Sequence, residues 1–432
     1  MRAPITRRTL LATATAALAA PAVAQRGREI TFAFAPDDSG AIQRLIDGFN
    51  AANGDGITVR WRTTSRATDA FFRELRSDFL AGAQDIDVFG ADVIWTAELA
   101  ARDEVRDLSR FTRNRGLARS TVPAALRSTV WRNRSWAVPW YTDAGLLYYR
   151  RDLVEAAPAT WDALARAARG AMADGPAHGL VFQGDAYEGG VTNALEFIWS
   201  AGGRPWTGQV SVAGALSMGQ AAQGDTVVTL DTADAAAGLA RARALVAEGV
   251  APPEVTEMRE QESLEAFMAG DAVFMRNWPF ASGIIAADGR LSPDQVGAAP
   301  IPALRDGAPS YSCLGGWNLA VPADARDPDA ALAFIDYATR PEQQRMMAEI
   351  GGFLPVLADL YDDALVQAAP VVGIGRTALA TARARPLSPV YSLLSPRLAF
   401  MFEDVLLGER DPREAVARTE GELRRILRRS DI

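Results

Sequence analysis

The sequence predicts an α/β protein built from two similar lobes. Apolar strand candidates alternate with amphipathic helix candidates in units of about 30 residues, which is the pattern of βαβ units around a largely parallel sheet. The chain has 432 residues, more than one hydrophobic core normally fills, so two lobes are expected. Hydrophobic residues make up 49% and charged residues 23% of the chain, a composition typical of a folded, water-soluble protein.

The first 24 residues predict an export signal that is not part of the fold. Arg7 and Arg8 precede an apolar run that continues to Ala19, and small residues follow as far as Ala24. This order is typical of a signal peptide cleaved after Ala24, and the arginine pair is typical of twin-arginine export of an already folded protein. Because no cysteine at the cleavage site could carry a lipid anchor, we expect a freely soluble periplasmic protein. An amphipathic amino-terminal helix is the alternative.

The alternation of strands and helices begins directly after this segment. An apolar strand at 30–34 and a loop lead into a helix whose apolar residues recur at helical spacing from Ile42 to Phe49, and the glycine-rich segment 53–56 ends that helix. Further strands are predicted at 57–61, 87–89, 179–184, 271–276 and 316–321. Further helices are predicted at 69–80, 160–173, 189–201, 233–248 and 328–338.

Charge and rare residue types exclude several classes of chemistry. The formal net charge of -8 argues against a nucleic-acid partner, because binding to a phosphate backbone needs a large basic face. Cys313 and His178 are single residues of their types, so neither an intramolecular disulfide nor a Cys/His zinc cluster can form, and we expect no metal and no cofactor. Cys313 is interpreted as a small buried apolar group and His178 as a loop residue. Gly373 and Gly375 lack the spacing of a dinucleotide-binding motif and are interpreted as a loop.

Aromatic side chains stand next to acids, glycines and prolines in several predicted loops and strand ends. These segments are 92–95, 139–143, 187–188, 276–279, 315–318 and 385–386. Sugar rings present a C–H face that packs on an aromatic ring, and hydroxyl groups that bond to carboxylates and guanidinium groups. The combination therefore suits a neutral polyhydroxylated ligand.

Each of these residues also has an ordinary structural explanation. A single tryptophan is more often part of a core than of a binding site. Asp38 could cap a helix, Arg385 could form a surface ion pair, and Tyr148 and Tyr149 could pack within a strand. Only the joint occurrence of the segments favours a binding site.

Several blocks of the sequence resemble the extracellular solute-binding proteins of ABC sugar importers, most closely the trehalose/maltose-binding subgroup. The four strongest blocks occur in the family's order, and three shorter segments are also similar. The strong blocks are 85–92, 138–150, 275–281 and 314–317, and the shorter segments are 341–344, 351–355 and 384–386. The resemblance covers essentially the whole mature chain.

The resemblance implies a two-lobed periplasmic-binding-protein fold, similar to the type II arrangement, with the ligand in a cleft between the lobes. Strands that cross between the lobes would form the hinge. Lobe one is then expected at 26–138 and 299–345, lobe two at 139–298 and 346–432, and the hinge crossings near 138–139 and 298–302.

The resemblance also implies roles for individual residues in the cleft. Asp92 and Asp143 are expected to accept hydrogen bonds from sugar hydroxyls, and Arg385 to donate them. Gly316 is expected to let the backbone approach the ligand, because it has no Cβ atom. The rings expected to stack on the sugar are Tyr141, Trp278 and Trp317.

Four further positions carry weaker expectations. Asp38 stands near a position where the family often has the longer glutamate. Arg66, or alternatively Asp69, could match another polar residue of the family site. Tyr187 is included because it lies in one of the aromatic segments.

Together these observations predict a receptor, not an enzyme. A disaccharide such as trehalose or maltose would bridge the lobes and favour their closed arrangement, which the ABC permease subunits would recognise; a monomer is expected. A monosaccharide, a polyol or a modified oligosaccharide is the alternative ligand. A more distant alternative is an exported glycoside hydrolase that uses Asp92 and Asp143 as its carboxylate pair.

Overall fold

The computed structural model describes residues 28–82, 85–173, 175–207 and 227–429. The predicted signal peptide at 1–24 lies outside these residues. The described chain forms a six-stranded sheet, a four-stranded sheet and two short two-stranded ribbons, with helices packed on the sheets. This arrangement confirms the predicted α/β class.

Fourteen strands occur in the described chain, and each predicted strand overlaps one of them. They are β1 Arg28–Phe34, β2 Ile57–Thr63, β3 Val88–Asp92, β4 Val130–Trp131, β5 Arg134–Ser135, β6 Val138–Ala144, β7 Leu146–Arg150, β8 His178–Val181, β9 Trp206–Thr207, β10 Val227–Val228, β11 Ala272–Asn277, β12 Val296–Pro300, β13 Leu314–Ala320 and β14 Leu354–Pro355.

Seventeen α-helices occur in the same residues, and each predicted helix overlaps one of them. They are α1 Ala41–Ala52, α2 Thr68–Leu80, α3 Thr96–Ala101, α4 Ser109–Asn114, α5 Leu117–Ser120, α6 Pro123–Ser128, α7 Trp161–Met172, α8 Glu188–Ser200, α9 Ala233–Ala247, α10 Glu260–Met268, α11 Ala281–Asp288, α12 Pro328–Ala338, α13 Pro341–Gly351, α14 Asp363–Ala368, α15 Pro370–Leu379, α16 Tyr391–Leu406 and α17 Pro412–Arg429. Short 3₁₀ turns lie at Pro253–Glu257, Pro293–Gln295 and Ala358–Leu360. None of these described helices is long and apolar enough to cross a membrane.

Two local predictions are wrong. His178 is not in a loop: it begins β8 and pairs in parallel with Ala272 of β11. Gly373 and Gly375 lie inside α15. A Cβ on either glycine would press against a packed side chain, Val366 in one case and Leu354 in the other, so the absence of side chains lets α15 pack closely. Cys313 is fully buried, as predicted.

The six-stranded sheet has the order β14-β6-β13-β3-β1-β2. Strands β1, β2 and β3 are parallel, whereas β13, β6 and β14 add antiparallel pairs. The register places Trp317 of β13 opposite Asp92 on one side and Tyr141 on the other. Three predicted site residues therefore stand in one row across the sheet.

The four-stranded sheet has the order β12-β7-β11-β8 and is covered by helices on both faces. Side chains of a strand alternate between its two faces. Accordingly, Leu147 and Phe274 pack in a core with α7, α8, α9 and α16, whereas Tyr148 and Met275 pack in a second core with α10, α11 and α15.

The chain passes from the large sheet to the small one at Gly145, the single residue between β6 and β7. Residues 139–144, expected in lobe two, instead pair within the large sheet, as does β14. The return passage uses 301–313, between β12 and β13. The lobe limits stay a proposal, and we propose Gly145 as the first crossing in place of 138–139.

Gly316 occupies a position that only glycine adopts without strain. Its φ is 116°, and a Cβ atom would lie 2.6 Å from both Thr142 Cα and the Tyr141 carbonyl oxygen. The pairing of β13 with β6 shifts register directly afterwards, between Trp317 and Asn318. Close strand pairing thus explains this glycine without a ligand, and its predicted contact with a ligand stays a prediction.

We predict that Gly316→Ala lowers the free energy of unfolding by about 2 kcal/mol or more, because the new methyl group meets backbone atoms. Denaturant unfolding measures the effect. Gly421→Ala is the matched control: Gly421 is exposed on α17 with open space at its Cβ position, so the same change should stabilise by about 0.5–1 kcal/mol. Equal effects of the two variants would contradict the role given to Gly316.

Candidate ligand-binding cleft

A cavity of about 350 Å³ lies between the two sheets, within the range of about 300–1,000 Å³ that small-ligand sites occupy. All ten residues predicted for the site line it. They are Asp38, Arg66, Asp92, Tyr141, Asp143, Tyr187, Trp278, Gly316, Trp317 and Arg385. Their convergence is a structural fact, whereas their contact with a ligand stays a prediction.

Three of these polar residues follow the parallel strands of the large sheet. Asp38 comes after β1, Arg66 after β2, and Asp92 is the last residue of β3. Because the carboxyl ends of parallel strands meet at one edge of a sheet, the three side chains converge there. Arg66 Nη2 donates to Asp38 Oδ1 at 2.7 Å, so these two residues form a pair at the cleft.

Asp38 does not cap the first helix. Its neighbour Asp37 accepts the hydrogen bond from the Ile42 backbone N–H at 2.9 Å, and Gly40 occupies the N-cap position of α1. Asp69, the alternative to Arg66, bonds instead to Arg73 on its own helix at 2.8 Å and does not line this cavity.

The middle of the cleft carries aromatic rings that their neighbours hold in place. Trp317 packs edge-to-face against Phe34, with ring centroids 4.9 Å apart, and against Trp95 at 5.3 Å. Tyr141 packs against Phe353 at 4.6 Å. Rings fixed in this way lose little freedom when a ligand stacks on them.

The opposite wall presents two rings that share one hydrogen-bond acceptor, which the sequence did not reveal. Tyr187 precedes α8 and Trp278 follows β11, whereas Glu260 is the first residue of α10. Tyr187 Oη donates to Glu260 Oε2 at 2.6 Å, and Trp278 Nε1 donates to Glu260 Oε1 at 3.2 Å. Glu260 therefore sets the position of both rings. No local pattern distinguishes it from Glu262, which caps α10 and also lines the cavity but bonds to neither ring.

A guanidinium group lies over each of these two rings. Arg259 Cζ is 4.9 Å from the centroid of Tyr187, and Arg276 Cζ is 4.1 Å from that of Trp278. Such cation–π contacts further restrain the rings.

Arg385 is buried, which excludes the surface ion pair considered from the sequence. Its Nη1 donates to Glu188 Oε1 at 2.6 Å, and its Nη2 lies 3.5 Å from Asp92 Oδ1. Glu188 also accepts hydrogen bonds from Tyr391 Oη, at 2.7 Å, and from Ser395 Oγ. Arg385 thus links the end of β3 to the start of α8. Glu188 belongs to the aromatic segment 187–188 found in the sequence, but the sequence gave it no role of its own in the cleft.

Comparisons with known proteins decide the family. A family model described as bacterial extracellular solute-binding protein matches residues 35–345. The chain belongs to this family. A probable ABC transporter-binding protein from Deinococcus radiodurans is 31% identical over 421 residues, which cover 94% of this chain and 96% of that protein.

A solved structure and a further relative agree with this assignment. The structure described as maltose-bound T. maritima MalE3 has a TM-score of 0.82 and 30% identity, and the match covers 92% of this chain and 99% of that one. A mannitol-binding protein from Pseudomonas aeruginosa is 25% identical over 374 residues, which cover 83% of this chain and 80% of that protein.

These matches confirm the family resemblance drawn from the sequence. The solute-binding protein is the binding receptor of an ABC transporter, and its fold is the two-lobed one that the resemblance implied. Proteins of this family function in transport and not in catalysis, and they act together with permease components.

The cleft of this solute-binding protein contains a carboxylate oxygen without a partner. Asp143 is buried, and its Oδ1 makes no hydrogen bond within the described residues. Burial raises the pKa of Asp143 well above its usual range; nearby Asp92 raises it further, and Arg276 opposes both effects. Burial also raises the pKa of Asp92, against the opposing effect of Arg385. A ligand hydroxyl that donates to Asp143 would supply the missing partner.

We predict that Asp143→Asn raises the unfolding temperature at pH 7 by about 2 °C or more. The folded-state pKa of Asp143 lies above the unfolded value of about 3.9. The folded protein therefore favours the protonated form of this carboxyl. The resulting contribution to stability is complete below about pH 4 and is lost as the pH rises through the folded-state pKa.

Thermal unfolding between pH 4 and pH 8 tests this prediction. The advantage of the Asn variant should narrow as the pH falls toward 4, since asparagine cannot ionise. Asp306→Asn, in an exposed loop, is the control and should show no such trend. If the difference in unfolding temperature between the Asn variant and the unsubstituted protein is constant, or grows toward pH 4, the raised pKa of Asp143 is contradicted.

Proposed function

We propose that this solute-binding protein is the receptor of an ABC sugar importer and binds a disaccharide such as maltose or trehalose. The observation that carries the proposal is the convergence of all ten predicted residues on one cavity between the lobes. The cavity combines aromatic rings with carboxylates and guanidinium groups, which suits a ligand with an apolar ring face and a rim of hydroxyls. The maltose named for MalE3, at 30% identity, supports a disaccharide.

A polyol is the second candidate ligand. The relative from Pseudomonas aeruginosa is named a mannitol-binding protein. The same carboxylates and guanidinium groups would bond to the hydroxyls of an open-chain polyol, which has no ring face for Trp278 and Trp317 to stack on. Comparing the affinities for maltose and mannitol therefore separates the two candidates.

Closure of the two lobes around the ligand would carry the signal to the permease. Two contacts already cross between elements of the two lobes: Asp92 with Arg385, and Glu98 of α3 with Ser392 of α16. A sugar held from both sides would add affinity for the closed arrangement only, and so increase its population.

The location and assembly state extend the same proposal. The charged, apolar and small-residue order of 1–24 supports export through the twin-arginine route to the periplasm. We also propose a monomer, because a transport receptor presents both lobes to the permease.

Titration of the mature protein, from Gln25 onward, tests the ligand. Intrinsic tryptophan fluorescence would be followed against maltose, trehalose, sucrose, glucose and mannitol, and each mixture would then be analysed for hydrolysis. We expect saturable binding of a disaccharide, with a dissociation constant of micromolar order or below. This corresponds to a binding free energy of about −8 to −10 kcal/mol. The sugar recovered from the mixture should be unaltered. Tighter binding of mannitol would select the polyol. Release of monosaccharide from the added disaccharide would instead indicate a glycoside hydrolase that acts through Asp92 and Asp143.

We predict that Trp278→Ala weakens binding of the preferred sugar at least tenfold, about 1.4 kcal/mol, while the fold stays intact. The change removes the ring that Glu260 and Arg276 hold at the cleft. Titration calorimetry gives the affinity, and thermal unfolding checks the fold. Trp131→Ala is the control, because Trp131 lies outside the cleft and also carries an arginine over its ring. An unchanged affinity in the Trp278 variant would remove this residue from the site.

A further inference from the structure

One carboxylate connects the two aromatic rings that Tyr187 and Trp278 present to the cavity. Glu260 Oε2 accepts a hydrogen bond from Tyr187 Oη, and Glu260 Oε1 accepts one from Trp278 Nε1. All three residues line the cavity, although they belong to separate parts of the chain, before α8, at the start of α10 and after β11. The polar edges of both rings are therefore fixed at a single side chain.

The chemistry of this side chain suits its two partners. Both rings donate to it, and a carboxylate has two acceptor oxygens, whereas an amide has one acceptor and one donor group. Burial raises the pKa of Tyr187 well above its usual range, and the nearby charge of Glu260 raises it further. The Tyr187 hydroxyl therefore stays protonated at neutral pH and continues to donate.

The backbone of Glu260 is tied to the strand that leads to Trp278. Asn277 Nδ2 donates to the Glu260 carbonyl oxygen at 3.0 Å, and the Trp278 backbone N–H donates to Asn277 Oδ1 at 2.9 Å. Tyr148 Oη donates to the Trp278 carbonyl oxygen at 2.9 Å. These bonds place the Glu260 carboxylate beside the indole ring before any ligand arrives.

An arginine covers one face of each ring. Arg259 lies over Tyr187 and bonds to Asp185 at 2.5 Å, and Arg276 lies over Trp278. The covered faces are closed to a ligand, so a sugar stacks only on the opposite face of each ring. Because the edges of both rings meet at one carboxylate, the orientation of these opposite faces depends on it.

We propose that Glu260 is a positioning residue that makes the cleft select ring-shaped sugars over open-chain polyols. The inference rests on the proposed sugar-binding function and extends it to the choice of ligand. Rings that are already held in place lose little freedom on binding, so a flat pyranose face gains the full stacking contact. An open-chain polyol has no such face and gains nothing from the fixed orientation. Glu260 acts through the two rings, without a contact of its own to the sugar.

Calorimetric titration of the Glu260→Ala variant with maltose and mannitol tests this inference. We expect maltose to bind at least fivefold more weakly than to the unsubstituted protein, because both rings lose their shared acceptor and must be ordered by the ligand. The affinity for mannitol should change less than twofold. Glu260→Gln, which keeps one acceptor oxygen, should recover part of the maltose affinity.

Glu262→Ala is the matched control. Glu262 lies in the same helical turn and also lines the cavity, but its carboxylate accepts from the Arg259 backbone N–H at 3.0 Å and bonds to neither ring. The change removes the same atoms and the same charge, and it weakens the start of α10, so it reports any effect of the helix itself. The ratio of maltose affinity to mannitol affinity should change less than twofold.

A second background separates positioning from direct contact with the sugar. Tyr187→Phe combined with Trp278→Phe keeps a ring at each position and removes both donors to Glu260. In this background, Glu260→Ala should change the maltose affinity less than twofold, because no hydrogen bond to a ring is left for it to remove. A larger effect there would mean that Glu260 contacts the sugar itself, and would overturn the inference.

The outcomes separate the inference from the proposed function. If maltose binds to the unsubstituted protein but Glu260→Ala weakens it less than fivefold, or weakens maltose and mannitol equally, the inference is wrong and the receptor function stands. An equal change of the affinity ratio in the Glu262 variant would also overturn it. If mannitol does not bind at all, the double-phenylalanine background decides the inference from maltose alone. If mannitol binds more tightly than maltose, or neither binds, the disaccharide proposal fails and the inference fails with it.

Discussion

The buried ion pair between Arg276 and Glu196 holds together the region where the chain passes between the two sheets. Arg276 Nη2 lies 2.6 Å and Nε 2.9 Å from the two carboxylate oxygens, and both side chains are 2% exposed. Glu196 also accepts a hydrogen bond from the Cys313 backbone N–H, at 3.0 Å, and Gly145 is packed so closely that a Cβ there would meet both charged groups. Removing one partner would leave an uncompensated buried charge, so both crossings depend on this pair. The same arginine lies over Trp278, which joins this region to the cleft.

Sequence periodicity was sufficient for the elements that carry the polar wall of the cleft. Each parallel strand ends in or is followed by a polar loop, and parallel strands end at one edge, so the convergence of Asp38, Arg66 and Asp92 follows from order along the chain. The crossing at Gly145 could not be found in this way. Residues 138–141 and 144–149 are two apolar runs with only Thr142 and Asp143 between them, and periodicity does not show at which residue the chain leaves one sheet and joins another.

Glu188 and Glu260 were missed for a different physical reason. Both begin helices, where a glutamate is favourable beside the helix dipole whether or not it has another task. Their roles come from partners far away in sequence, such as Arg385 for the first and Tyr187 for the second. Thr68, Asp92, Arg385 and Glu188 form a continuous polar chain along the wall of the cleft. Contacts of this kind, between residues far apart in sequence, exist only in the folded protein.

Burial of Cys313 at the second crossing also has a redox consequence. Removal from water raises the pKa of its thiol to about 12. The thiolate is the form that reacts with oxidants and disulfides, so at neutral pH almost none of this thiol is reactive. As the single cysteine of the chain, Cys313 has no partner for an intramolecular disulfide, and its burial keeps it from cross-linking the folded protein to another protein.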